Sequence, residues 1–204
     1  QISLLSKSLY AKLASENEFD FGYHERGLLM LYKDQHTGEE EKETAEFANR
    51  IGIEAKVLNA QQVQDLEPEV RVDALGGVYF PGDAHLTPRS LVDGLRHYLS
   101  RSGVVFKTGF EITDFEVSGG NVKSLRSHTE MYDVDELVLA AGSWSGTLAR
   151  LLSLNLPMQA GKGYSLTLAN PKQLPELCSI CTEARLAVTP MDGALRVGGT
   201  MELA

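Results

Sequence analysis

The sequence predicts a fold that combines α/β and α+β architecture. Between residues 88 and 152, an amphipathic helix, several short strands and a buried apolar strand follow one another, which is typical of α/β units. After Leu152 the pattern changes to strands and loops, which favours a mixed or antiparallel sheet. The 204 residues, 43% of them hydrophobic, suffice for one large domain or two small ones.

Charge and cysteine content argue against several classes of function. The net charge of −9 argues against nucleic acid or an anionic membrane as the main partner. No apolar run reaches the roughly 18 residues of a transmembrane segment, and no signal-peptide pattern opens the chain. Two cysteines do not make a disulfide framework, so we predict a reducing, cytoplasmic compartment.

Cys178 and Cys181 have Cys-x-x-Cys spacing. A zinc ion would need two more ligands, and the sequence offers neither a second cysteine pair nor a nearby histidine. Redox use of the thioredoxin type would need a strand-to-helix turn, whereas Pro175 and its neighbours predict a loop. We therefore predict no metal site in this chain.

Hydrophobic periodicity predicts the first elements. The apolar face of a helix in residues 1–15 is formed by Ile2, Leu5, Leu9 and Leu13. Residues 27–33 form a predicted buried strand. The acidic run Glu39–Glu43 is predicted to be the solvated first turn of a second helix, which stops at Gly52. The residues of this helix that we expect to face inward are Phe47, Ala48 and Ile51.

Capping residues predict two further helices. Asn59 is a good N-cap for a short helix that buries Val63 and Leu66 and ends before Pro68, and a strand follows at 76–80. Thr87 and Pro88 suit the start of the next helix. Its apolar face is formed by Leu91, Val92, Leu95, Tyr98 and Leu99, and Gly103 is a good residue to follow its end.

The most informative stretch is a predicted buried strand at 137–141 that ends in Ala-Ala-Gly. Residues with little or no side chain are needed where a flat cofactor passes close to the backbone. This strand is preceded by a strand at 104–107 and by a meander at 111–117, 122–127 and 131–134, and a helical pattern runs from Thr147 to Leu152. Further strands are predicted at 163–168, 184–189 and 194–199.

Four segments in this order resemble the family of FAD-dependent amino-acid oxidoreductases, the D-amino-acid oxidase superfamily. They are Gly82-Asp-Ala-His-Leu-Thr-Pro88, Val138-Leu-Ala-Ala-Gly-Ser-Trp-Ser145, Gly161-Lys-Gly-Tyr-Ser-Leu166 and the run from Val188 to Glu202. The last two are most similar to the small-subunit type of D-amino-acid dehydrogenase. A single such motif is weak, but four in the family's order are a specific signal.

The resemblance implies a discontinuous domain organisation. Residues 1–15 would be a helix at the domain junction, and residues 16–87 with 153–204 would form a substrate domain with a mixed or antiparallel sheet. Residues 88–152 would be part of a two-dinucleotide-binding FAD domain. The family's Gly-x-Gly-x-x-Gly turn and its final segment, which carries the usual carboxylate-pairing arginine, have no counterpart here. We therefore expect an internal fragment that is inactive by itself and retains little FAD affinity.

For the parent protein, the resemblance implies oxidative deamination of D-amino acids by hydride transfer from the substrate α carbon to FAD. Oxidation of glycine or sarcosine, or of 2-hydroxy acids, remains an alternative because one fold hosts several reactions. A non-catalytic binding module that keeps the substrate-domain fold is an alternative of another class. The substrate would be a small amino acid, the parent could associate peripherally with the inner face of the membrane, and dimerisation is expected of a truncated half.

The resemblance also suggests site residues, although no catalytic residue is assigned in this chain. The cofactor-binding candidates are Ile112, Ala140, Ala141, Gly142 and Trp144. The substrate-binding candidates are Tyr164, His85, Lys162 and Arg185, and Arg196 is a further arginine that could face the cavity. Each candidate also has an ordinary structural explanation. Ile112 would belong to a strand core, Trp144 would pack under a helix, and Tyr164 would be an ordinary sheet residue. The others would be a loop histidine (His85), a surface lysine (Lys162) and solvated arginines (Arg185 and Arg196).

Overall fold

The computed structural model describes residues 2–16 and 18–203, so Gln1, which the predicted first helix includes, lies outside the described part. The helices are α1 (Ile2–Ser15), α2 (Gln35–Arg50), α3 (Ala60–Leu66), α4 (Pro88–Arg101) and α5 (Ser145–Leu151), with a 3₁₀ turn at Gly142–Trp144. The strands are β1 (Leu28–Tyr32), β2 (Lys56–Asn59), β3 (Gly76–Phe80), β4 (Asp114–Ser118), β5 (Asn121–Arg126), β6 (Met131–Asp133), β7 (Gly161–Ala169), β8 (Cys178–Cys181), β9 (Leu186–Met191) and β10 (Ala194–Leu203).

The chain forms two compact units. Unit 1 comprises residues 1–104 and 163–200, and unit 2 comprises residues 105–162 and 201–204. The functional domains expected from the resemblance have other boundaries, and they stay a prediction. No helix within the described residues is long and apolar enough to cross a bilayer.

The larger sheet has seven strands in the order β2-β3-β1-β8-β9-β10-β7. Strand β1 runs antiparallel to β3 and parallel to β8, so the sheet is mixed, as predicted. Helix α2 covers part of it: Ala45 and Ala48 of the helix form a core cluster with Val78 of β3, and Met30 of β1 packs against this cluster.

Helix α2 begins four residues earlier than predicted. Asp34 caps it by accepting a hydrogen bond from the Thr37 backbone N–H, at 2.8 Å between Asp34 Oδ1 and Thr37 N. This start places Gly38, Glu41, Ala45 and Ala48 on the buried face. The acidic run is therefore not the first turn, and Phe47 and Ile51, which we expected to face inward, are 55% and 58% exposed.

The other predicted helices are present with differences in burial. Helix α3 has the capping box formed by Asn59 and Gln62 and buries Val63 completely. Leu66 is exposed, contrary to the prediction, because the helix ends there and Glu67 takes the buried position. Helices α1 and α4 contain no buried residue among those described, so their apolar faces are partly open.

In unit 2 the predicted meander forms a sheet in the order β4-β5-β6. The predicted strands at 104–107 and 137–141 are not strands: both segments have no strand partner among the described residues. A strand exchanges backbone hydrogen bonds with a neighbouring strand, and an apolar sequence alone does not supply that neighbour. The loop predicted around Pro175 is present, and Cys178–Cys181 beyond it form β8, a strand that was not predicted.

Candidate functional site

The cofactor-binding candidates lie in unit 2 around the start of α5. The chain from Leu137 to Ala141 leads into the 3₁₀ turn without forming a strand, and Ala140 is exposed. Gly142 has a φ of +54° and no neighbouring atom where a Cβ would stand. Trp144 is 73% exposed. The structure thus presents an open, small-residue backbone turn beside an exposed aromatic ring.

Ile112 precedes the strand in which it was predicted. Strand β4 begins at Asp114, and the Thr113 N–H donates to the Arg126 carbonyl oxygen at 2.8 Å. Ile112 is half-buried at the entry to the meander. It therefore belongs to the same unit as Ala140, Ala141, Gly142 and Trp144.

These residues fit the role of cofactor contacts. A flat group can approach a backbone closely where Cβ atoms are small or missing, and residues 140–142 meet that condition. Trp144 offers an exposed ring face on which a planar group could stack. The turn lacks the Gly-x-Gly-x-x-Gly sequence that, in dinucleotide-binding folds, places a pyrophosphate at a helix N-terminus.

Tyr164 and Arg185 lie at one end of the larger sheet. Arg185 occupies the β8–β9 turn with a φ of +52° and is exposed. Tyr164, on β7, is 45% exposed, and its carbonyl oxygen lies 3.9 Å from the position of a Cβ on Gly198. Gly198 pairs with Ala187, two residues beyond Arg185. Lys162, on the same strand as Tyr164, is exposed.

His85 lies at the other end of strand β9. It lines a cleft of about 300 Å³ together with His24, Arg26 and residues 190–193. Six strand residues separate these two ends of β9, which corresponds to about 20 Å. The structure therefore brings Tyr164 and Arg185 to one region and places His85 in another.

His85 is partly buried in this cleft beside His24. The backbones of His24 and His85 exchange two hydrogen bonds of 2.9 and 3.0 Å, and their rings stand 5.2 Å apart. His85 Nδ1 is buried without a hydrogen-bond partner. Burial, followed by the neighbouring His24 and Arg26, lowers the pKa of His85, which favours the neutral imidazole.

Residues that sequence reasoning missed hold this cleft together. Glu67 is 3% exposed and accepts hydrogen bonds from the backbone N–H groups of Glu176 and Leu177, at 3.0 and 2.6 Å. Asp192 accepts a hydrogen bond of 2.9 Å from Ser90 Oγ in the first turn of α4. The Asp192-Gly193 pair between two strands is a hairpin signal that the sequence did contain.

The thiols and acidic groups do not form a metal centre. Within residues 2–16 and 18–203, no group of three or more His, Cys, Asp or Glu side chains could hold a metal ion. Cys178 and Cys181 are three positions apart on a strand, so their side chains point to opposite faces. Burial raises the pKa of the Cys178 thiol to about 11, so the thiolate that metal binding or nucleophilic chemistry needs is scarce.

The sequence matches a known family over its full length. The model of the family described as "FAD dependent oxidoreductase" matches residues 1–204. A curated relative, D-amino acid dehydrogenase of Helicobacter pylori, is 28% identical over 200 residues, which cover 98% of this chain and 47% of the relative. The chain thus spans about half the length of that relative.

Two solved structures share the fold. Glycine oxidase from Bacillus cereus superposes with a TM-score of 0.82 at 22% identity, over 98% of this chain and 55% of the oxidase. The FAD-bound L-α-glycerophosphate oxidase from Mycoplasma pneumoniae superposes with a TM-score of 0.79 at 19% identity, over 98% of this chain and 56% of that protein. At these identities the likeness establishes the architecture alone.

Proposed function

We propose, since the chain belongs to the FAD dependent oxidoreductase family, that the full product of its gene oxidatively deaminates D-amino acids. The observation that carries this proposal is the match of almost the entire chain to a relative named D-amino acid dehydrogenase. The family model that matches residues 1–204 confirms the predicted family. The reaction, the substrate and the partners of the full product are proposals.

In the proposed reaction, FAD would supply the acceptor for the hydride when bound, and residues of this chain would contact it. The backbone at Ala140, Ala141 and Gly142 would lie against this cofactor, with Trp144 and Ile112 as further contacts. This assignment rests on the open backbone turn and the exposed ring described above. We propose that this chain alone retains little FAD, because it supplies no glycine-rich turn for the pyrophosphate.

The proposed substrate-binding residues Tyr164 and Arg185 lie at one end of the larger sheet. A phenol hydroxyl and a guanidinium group are suitable donors for a substrate carboxylate. Lys162 of the same strand is a weaker candidate. His85 lies in a separate cleft and is therefore the weakest candidate for the carboxylate.

Glycine oxidation is the second candidate, because one fold hosts several reactions and the fold shared with glycine oxidase does not separate them. The two activities separate in steady-state kinetics of the full product with D-alanine, glycine, sarcosine and D-lactate. The proposal expects kcat/KM to be highest for D-alanine. A higher value for glycine or sarcosine would support the second candidate, and a higher value for D-lactate would support hydroxy-acid oxidation.

A non-catalytic module is the remaining alternative of another class. Such a module would be stable and monodisperse as the 204-residue chain, whereas half of a flavoenzyme would associate through its exposed apolar segments. Val105 and Val138, which are 81% and 86% exposed, favour the second case. Dimerisation, a cytoplasmic location and peripheral attachment of the full product to the inner membrane face stay predictions.

A further inference from the structure

A four-residue turn joins β8 to β9 and carries Arg185. Cys181 and Leu186 are the last paired residues of the two strands, so the four residues between them form the turn. The Arg185 N–H donates a hydrogen bond to the Thr182 carbonyl oxygen at 3.2 Å. The turn is thus closed by a bond within its own backbone, and the Arg185 side chain is exposed.

The backbone of Arg185 is strained for a residue that has a side chain. Its φ of +52° lies in the left-handed region, where a Cβ comes too close to the following carbonyl oxygen and glycine or asparagine is usual. Among the described residues, no hydrogen bond or ion pair of the Arg185 side chain offsets this strain. Strained residues of this kind are concentrated at functional sites. The strain therefore points to a functional reason for arginine in this turn.

Glu183 attaches the same turn to the start of helix α2. Its Oε1 accepts two hydrogen bonds, from the Lys33 N–H at 2.7 Å and from the Asp34 N–H at 3.2 Å. We call these two bonds the Glu183 clamp. Both N–H groups lie at the N-terminal end of α2, where the helix dipole favours a carboxylate. The Thr182 N–H adds a bond of 3.0 Å to the Leu31 carbonyl oxygen, so the turn is held by the β1–α2 junction as well as by its own hairpin.

We propose that Glu183 is a positioning residue, which fixes the β8–β9 turn so that the Arg185 side chain keeps one place beside the substrate. The proposal rests on the proposed function, in which Arg185 contacts the substrate. Glu183 would contact neither substrate nor cofactor, because the backbone of Lys33 and Asp34 engages its carboxylate. Without the Glu183 clamp the turn would sample several arrangements, and only the fraction of molecules with a correctly placed Arg185 would bind the substrate well.

The Glu183 clamp is measurable in the 204-residue chain without turnover. Amide hydrogen exchange is followed by NMR in the wild type, Glu183→Ala, Glu183→Gln and the control Glu43→Ala, whose carboxylate is exposed on α2. We expect the Lys33 and Asp34 amides to exchange about 10-fold faster in Glu183→Ala alone, since the glutamine oxygen still accepts both bonds. The β3 amides are the internal reference for global opening. Equal exchange of the Lys33 and Asp34 amides in Glu183→Ala and the wild type would overturn the clamp.

Kinetics of the full product test whether Glu183 acts through Arg185. Loss of the clamp in Glu183→Ala is expected to raise KM for D-alanine about 3- to 10-fold, with kcat changed far less and with rescue in Glu183→Gln. The double variant Glu183→Ala/Arg185→Met should have the KM of Arg185→Met alone, because no arginine is left to position.

The outcomes separate this proposal from the proposed function. An unchanged KM in Glu183→Ala, or increases that simply multiply in the double variant, would overturn the positioning role of Glu183 while D-alanine is still oxidised. A full product that oxidises no D-amino acid would overturn the proposed function and with it the substrate role of Glu183. The exchange rates would then describe a structural clamp alone.

Discussion

Protonation of the His85 imidazole affects the free energy of unfolding. Its Nδ1 is buried without a partner, and burial lowers its pKa below the ordinary value. The folded state then binds fewer protons than the unfolded state once the pH falls below the unfolded pKa of about 6.5. Above that pH, His85 therefore does not change the free energy of unfolding. As the pH falls toward the folded-state pKa of His85, the residue lowers the free energy of unfolding.

We predict that the free energy of unfolding falls less between pH 7.5 and pH 5.5 in His85→Asn than in the wild type. Urea unfolding at the two pH values measures this difference. His97→Asn is the control, because His97 is exposed on α4. An equal fall in His85→Asn and the wild type would contradict the assignment of a lowered pKa to His85.

Glu67 is a buried carboxylate that satisfies two backbone donors ahead of β8. Replacing it by alanine leaves the buried Leu177 N–H without an acceptor, which costs about 1–3 kcal/mol. We predict that Glu67→Ala lowers the free energy of unfolding by this amount and that Glu67→Gln, which keeps one acceptor, loses less. Glu69→Gln, at an exposed position, should stay within about 0.5 kcal/mol in the same urea titration. Equal losses in Glu67→Ala and Glu69→Gln would refute this role.

At the scale of elements, the β9–β10 hairpin depends on its two-residue turn. Asp192 and Gly193 have φ values of +48° and +80°, as a type I′ turn requires. A side chain at Gly193 would meet no atom, so only backbone strain opposes it. We predict that Gly193→Ala lowers the free energy of unfolding by about 1–2 kcal/mol. The control is Gly82→Ala, where neither a positive φ nor a neighbour opposes the methyl group, and a similar loss there would contradict the explanation.

Local signals predicted some elements well and others poorly. Asn59 marked the start of α3, and the succession of short strands marked the β4-β5-β6 meander, because capping and hairpin pairing act within a few residues. Residues 104–107 and 137–141 failed as strands, since a strand needs a partner that may be distant in sequence. The short run Cys178–Cys181 became a strand because β1, far away in the chain, pairs with it.

The candidate site was predictable only as a set of residues, not as an arrangement. Motif order nominated the turn at Ala140–Gly142 and the segment around Tyr164 as candidates, and their roles stay predictions. It did not indicate that His85 lies a strand length from Arg185, because that separation follows from the register of β9 and β10. Nor did it indicate the anchoring of Arg196 by Ser165, which joins two strands about 30 residues apart.

At the scale of the whole molecule, cofactor affinity should depend on residues beyond the candidates in this chain. We predict that the 204-residue chain binds FAD at least about 100-fold more weakly than the full product, since this chain has no Gly-x-Gly-x-x-Gly turn to hold the pyrophosphate through charge-assisted hydrogen bonds. Fluorescence titration of FAD into both proteins measures the ratio. Equal affinities would show that the turn at residues 140–142 suffices for binding.

The visible absorption spectrum of the full product, purified and mixed anaerobically with D-alanine, tests the central claim most directly. The account predicts a flavin band that bleaches as the amino acid is oxidised. A flavin band that no D-amino acid bleaches would contradict D-amino-acid oxidation. The absence of a flavin band, even after FAD is added, would contradict the flavoenzyme assignment and favour the binding module.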